Sequence, residues 1–125
     1  MYSIMIVEDE ELELEFIEAV IQEEFQPEDS VITANTGAQA VRLAKKRHPD
    51  MIIMDIQMPK MDGYRAANLI RNLPDAEKKD IPIVAMTANV FAEDKQLAWE
   101  AGMNGHIAKP IDVHRVLQVL IEILS

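Results

Sequence analysis

The sequence predicts an α/β fold, a doubly wound five-stranded parallel sheet with five helices. Three observations carry this. Residues 3–7, 51–54 and 81–86 are short apolar runs without polar alternation, the mark of strands buried on both faces. Segments with apolar residues at helical spacing follow such runs, and the alternation repeats five times. Strict alternation demands crossover connections and hence a parallel sheet. With five strands the flavodoxin-like order 2-1-3-4-5 is the natural one. The rival, an antiparallel sheet, needs hairpin turns that the sequence does not supply.

The elements follow in order. Ser3 to Val7 is the first strand, ending in Glu8-Asp9-Glu10-Glu11. The first helix carries Leu12, Phe16, Ala19 and Val20 on one face. Leu14, Ile17, Ile21 and Phe25 are apolar as well, so its stripe is wider than one buried face needs. Pro27-Glu28-Asp29 breaks it, and Ser30 to Ala34 is a β-branched second strand. Asn35-Thr36-Gly37 opens the second helix, with Ala38, Val41, Leu43 and Ala44 inward or partly so; it stops before Pro49. The third strand, Met51 to Met54, runs straight into Asp55. Asp62 caps a third helix from Gly63 to about Leu73, which Pro74 ends. A charged loop, Pro74 to Asp80, leads to a fourth strand over Ile81 to Met86, with Pro82 near its start, and then to Thr87-Ala88-Asn89. Phe91 to Ala101 is the fourth helix, with Gly102 past its C-terminal end. Gly105 to Ala108 is the fifth strand, followed by Lys109-Pro110, and Asp112 caps a last helix to the C-terminus.

The 125 residues are read as one domain, 1–125, with no output segment in the chain, and they suffice for a real core. Apolar and charged fractions of 49% and 27% are ordinary for a globular protein. Absence of cysteine excludes disulfides and thiolate metal sites. No apolar run approaches the roughly 20 residues of a membrane span, and no basic-then-apolar leader opens the chain. A cytoplasmic location is therefore expected, with no membrane association. The net charge of -10 argues against direct nucleic-acid binding. Solubility alone accounts for most of those charges.

Parallel strands place their C-terminal ends on one edge, where open α/β sheets bind ligands. The first strand brings Glu8 and Asp9 there, the third Asp55, the fourth Thr87 and the fifth Lys109. In the expected order these strands are contiguous. Three carboxylates in close company repel, so a cation must sit among them. Lys109 offers one charge, and hard oxygen donors without His or Cys favour Mg2+ for the rest. Asp55 then reads as a nucleophile accepting a phosphoryl group, with Thr87 and Lys109 holding its oxygens. This requires Asp55 to be open to solvent.

The pieces Ile6-Val7-Glu8-Asp9-Glu10, Met54-Asp55-Ile56-Gln57-Met58-Pro59-Lys60-Met61-Asp62-Gly63, Met86-Thr87-Ala88-Asn89, Ala101-Gly102-Met103 and Lys109-Pro110-Ile111 occur in this order. Together they resemble a two-component response regulator receiver domain, the family of the bacterial chemotaxis regulator, over essentially the whole chain. The resemblance implies that Asp55 is the phosphoacceptor and that Asp9 and Asp55 bind Mg2+ directly. Glu8 would act through bound water, and the Gln57 main-chain carbonyl would be a further ligand. Thr87 and Lys109 would bind the phosphoryl group, and the Lys109-Pro110 bond would be cis. The donor would be a sensor histidine kinase or a histidine phosphotransfer protein, docking on the broad apolar first helix. The face of the fourth helix, fifth strand and fifth helix would change its partners, a homodimer among them. Two departures stand out. Glu8 replaces a common aspartate, and His106 occupies the switch position three before the lysine that Tyr or Phe usually fills. Gln57 and Asn89 hold the positions that tune access of hydrolytic water.

Taken singly, each signal has a bland reading. Glu8-Asp9 would suit a helix N-terminus, Asp55 a satisfied strand end, Thr87 a β-branched strand residue and Lys109 an exposed lysine. His48, His106 and His114 lack ligand spacing. Methionines read as core filler and Trp99 as half-buried packing. The last helix is apolar beyond one face, which suits deep packing or a dimer or output surface. Two rival functions fare worse. A flavin phosphate or an aspartate-nucleophile phosphatase would need a Ser/Thr/Gly loop after the first strand or an acid two residues after the nucleophile; the chain has four acids and Gln57 there. A receiver-shaped module that is never phosphorylated would not need intact acids, Thr87 and Lys109. The motifs after Asp55 look most like hybrid-kinase receivers, and the opening residues more like a transcription regulator, so stand-alone, transcription-factor and hybrid-kinase contexts all stay open.

Overall fold

The structure, a computed structural model, describes residues 2–24, 26, 29–74, 80–88 and 92–124. Five strands and five helices alternate: β1 (Ser3–Val7), α1 (Glu11–Glu23), β2 (Ser30–Ala34), α2 (Gly37–Lys46), β3 (Met51–Asp55), α3 (Gly63–Arg71), β4 (Ile83–Thr87), α4 (Ala92–Glu100), β5 (Gly105–Ala108) and α5 (Val113–Leu124). The strands form one sheet in the order β2-β1-β3-β4-β5. Every pairing is parallel, which disposes of the antiparallel alternative.

Side chains alternate across each strand and build two apolar layers. Met5, Val7, Ile52, Met54, Ile83 and Ala85 face α2, α3 and α4, where Ala40, Ala44, Ala66, Ala67, Ile70 and Ala98 meet them. Ile4, Ile6, Met51, Ile53, Val84 and Met86 face α1 and α5, where Ile17, Val20, Ile21, Val116, Val119 and Leu120 meet them. Each fully buried isoleucine contributes about 1.5–3 kcal/mol. Small residues on the first side let the helices lie close to the sheet.

Caps act where short polar residues stand. Thr36 accepts from Gln39 N–H, Asp62 from Arg65 N–H and Asp112 from His114 N–H. Gly102 takes φ 89° after α4, a conformation that suits glycine.

Four expectations need correction. The buried face of α1 is Ile17, Val20 and Ile21, while Leu12 is 82% exposed and Phe16 is exposed too. Ala38 is exposed on α2. The fourth strand starts at Ile83 and includes Thr87, two residues beyond and one past the expected limits. Trp99 is not half-buried but 72% exposed. The placements expected for Phe25, for Pro27 and Glu28, for the loop residues 75–79, and for Asn89 and Phe91 lie outside the described residues. On α5, Val113 and Ile121 are exposed beside the buried Val116, Val119 and Leu120. No helix of the described residues is long and apolar enough to cross a membrane.

Candidate functional site

The register places the chemistry at one edge. Glu8 continues β1, its N–H donating to Ala34 O at 3.0 Å. Asp55 is the last residue of β3 and pairs in register with Met86. Thr87 ends β4 beside Ala108, and the Lys109 N–H donates to Thr87 O at 2.9 Å. Strand alternation then sorts the side chains. Glu8 follows Ile4 and Ile6, Asp55 follows Met51 and Ile53, and Lys109 follows Ile107. All three extend the face toward α1 and α5. Thr87 follows Ala85 and belongs to the opposite face, as does His106, whose register partner is Ala85.

Glu8, Asp9 and Asp55 each offer a carboxylate oxygen within 4.8 Å of the others. Lys109 Nζ lies 3.0 Å from Glu8 Oε1, 3.3 Å from Asp55 Oδ1 and 3.3 Å from Glu13 Oε2. Glu8 is fully buried, and burial pushes its carboxyl up to about 8. A hydrogen bond to Asp55 and the charge of Asp55 push the same way, while Lys109 opposes them. The three neighbouring carboxylates hold the Lys109 ammonium above its ordinary value, overcoming the opposite effect of its burial.

The loop after Asp55 folds back on the strand. Gln57 N–H donates to Asp55 Oδ1 at 3.3 Å, and Gly63 N–H to Ile56 O at 2.9 Å. Lys60, at φ 67°, turns the chain so that Met61 N–H reaches Pro59 O at 2.8 Å, a tight and strained three-residue turn. Gly63 is required by contact: a Cβ there would lie 2.5 Å from the Asp55 carbonyl oxygen. The Lys109-Pro110 peptide is cis.

Glu8, Asp9, Asp55 and Lys109 thus come together, with Thr87 at the adjoining strand end. Two features differ from expectation. Asp55 is only 2% exposed, not open at the rim, with the Lys109 ammonium 3.3 Å from its Oδ1. Glu13 was not expected at all. It lies in the first turn of α1, and nothing in the local sequence marks it, because its partner Lys109 is 96 residues away. His106 is half-buried, and burial lowers its imidazole from the ordinary value, as do the charges of Lys95 and Arg115. His48 and His114 lie on the surface, away from the acidic group.

The donor set fits a hard divalent cation. Three carboxylate oxygens converge without nitrogen or sulfur ligands, and a single ammonium leaves them under-compensated.

Comparison with known proteins agrees with this geometry. The response regulator receiver domain family matches residues 4–121. The chain is 39% identical over 119 residues to the signal transduction histidine-protein kinase BarA of Escherichia coli, covering 95% of this chain and 12% of the kinase. The receiver domain of a sensor histidine kinase from Pseudomonas aeruginosa, with a magnesium ion coordinated in its active site cleft, superimposes with a TM-score of 0.85 at 32% identity, covering 98% of this chain and 97% of that one. The receiver domain of Saccharomyces cerevisiae Ssk1, in complex with the histidine phosphotransfer protein Ypd1, gives 0.85 at 28%, covering 98% and 88%.

Proposed function

The chain belongs to the response regulator receiver domain family of two-component signalling, and from that premise we propose that Asp55 is its phosphoacceptor. The observation that carries this is a buried carboxylate held 3.3 Å from a lysine ammonium and within 4.8 Å of two further acids. Such a module transfers a signal rather than turning over a substrate. We read residues 1–125 as one receiver domain, since a single sheet joins Ser3 to Ala108.

An oxygen of Asp55 attacks the phosphorus of a phosphohistidine on a sensor histidine kinase or a histidine phosphotransfer protein. The nitrogen–phosphorus bond breaks, the electron pair stays on the imidazole nitrogen, and that nitrogen takes up a proton. Lys109 moves from the Asp55 carboxylate to the phosphoryl oxygens, and the Thr87 hydroxyl donates to another. Asp9, Asp55 and the Gln57 main-chain carbonyl would hold Mg2+ directly, and Glu8 through bound water. When bound, the ion neutralises the crowded carboxylates and screens the transferred group. A small acyl phosphate serves as donor by the same displacement. Leu12 and Phe16, exposed on α1 beside the site, provide apolar surface for the donor's helices. The phosphoryl group then changes the face of α4, β5 and α5, with His106, in register with Ala85 and on the same sheet face as Thr87, as the switch residue. That face carries the exposed Leu97, Trp99 and Val113 and is the surface for a homodimer or another partner. Donor chemistry of this kind places the domain in the cytoplasm.

Incubation with acetyl phosphate and Mg2+ should add one phosphoryl group to the wild type and none to Asp55→Asn. Undiminished labelling of the variant, read by intact mass, would refute the assignment.

A further inference from the structure

Glu13 stands in the first turns of α1 and has no part in the chemistry above, yet its carboxylate is as near to Lys109 as that of Asp55. We propose that Glu13 is a positioning residue that draws the Lys109 ammonium toward α1, in competition with Asp55, and so sets how firmly Lys109 closes on the phosphoryl group. This rests on the reading of Asp55 as phosphoacceptor.

An ammonium has three N–H donors. Two donate hydrogen bonds here, to Glu8 at 3.0 Å and Glu13 at 3.3 Å, and Asp55 Oδ1 lies 3.3 Å away as an ion-pair contact. A phosphoryl group on Asp55 must hold the same ammonium, which two hydrogen bonds already draw toward Glu8 and Glu13. Glu8 is fully buried and fixed by the β1 ladder. Asp55 itself bears the new group. Glu13 is the partner that gives way: it lies on a helix, its side chain 21% exposed, and a hydrated ion pair of this kind is worth little. Its charge also repels an arriving anion, so the two effects have one sign. They differ in their dependence on Lys109.

The test uses beryllium fluoride, which adds to a carboxylate in place of a phosphoryl group, in the presence of Mg2+. Binding by the wild type and not by Asp55→Asn establishes the underlying reading; no binding by the wild type overturns that reading and the inference with it. Given binding, Glu13→Gln should tighten the affinity about threefold, the scale of a partly exposed ion pair. In a Lys109→Ala background the same substitution should give a clearly smaller gain, only the part due to charge repulsion. In metal-free protein, Glu13→Gln should also shift the Lys109 ε-methylene resonance. Wild-type affinity in Glu13→Gln overturns the proposal. So does an equal gain with and without Lys109, which would mean simple charge repulsion, or an unmoved Lys109 resonance.

Discussion

Lys109 Nζ lies 3.3 Å from Asp55 Oδ1, whose side chain is only 3% exposed. The lysine is itself 20% exposed and rides on a four-carbon stem. The contact is therefore a flexible one, and the ammonium can move to another partner. The site at rest is an over-supplied set of acids sharing one cation, and its behaviour follows from that imbalance.

The first consequence is a pH dependence of stability. Glu8 holds its proton up to about 8 in the folded metal-free protein, against an ordinary value of 4.5. Between those values the folded chain binds a proton that the unfolded chain has released. This group's contribution to stability is therefore present below pH 4.5 and is lost as pH rises through about 8. Urea unfolding without metal should show a lower midpoint at pH 8 than at pH 6. Glu8→Gln should flatten that slope; a slope unchanged by the substitution would contradict the assignment.

Metal should reverse the penalty. A ligand that binds only the folded state at about 100 times its Kd stabilises by about 2.7 kcal/mol. Thermal unfolding should move upward with Mg2+ and return on chelation. Asp9→Asn, which removes an exposed oxygen donor without disturbing the core, should abolish most of the increment.

Gly63 should not tolerate a methyl group. The added carbon would meet the Asp55 carbonyl oxygen at 2.5 Å and Ile56 Cα at 2.8 Å, both backbone atoms that cannot swing away. Gly63→Ala should cost about 1–3 kcal/mol of unfolding free energy. The same shift displaces Asp55, so acetyl phosphate labelling should slow as well.

Trp99 and Ile53 make a contrasting pair. Trp99 is 72% exposed, and Trp99→Ala should change stability by no more than about 0.5 kcal/mol. Its fluorescence in the wild type should be water-like and readily quenched by acrylamide. Ile53 is buried between β1 and β4, and Ile53→Ala should cost about 2–5 kcal/mol.

Much of this was readable in the linear chain because it rests on local pattern. The unbroken run Met51 to Met54 marks a strand buried on both faces, and a carboxylate directly after it must lie at the sheet edge. Glu8 and Asp9 after β1, Thr87 at the end of β4 and Lys109 after β5 were found in the same way. Strict alternation of the elements dictated a parallel sheet, and five such strands made 2-1-3-4-5 the natural order. On α1 the residues Leu12, Phe16, Ile17 and Val20 form two overlapping apolar stripes, and periodicity cannot say which one meets the sheet. Docking against α5 and β1 chose Ile17 and Val20 and left Leu12 in water. The same packing turned Glu13 toward Lys109, while on α4 it is Ala98 that meets the sheet and Trp99 stays outside. Composition and spacing dictate which residues reach an edge; the approach of one element to another decides which of them touch, because a contact between Glu13 and Lys109, 96 residues apart, has no signature in either neighbourhood.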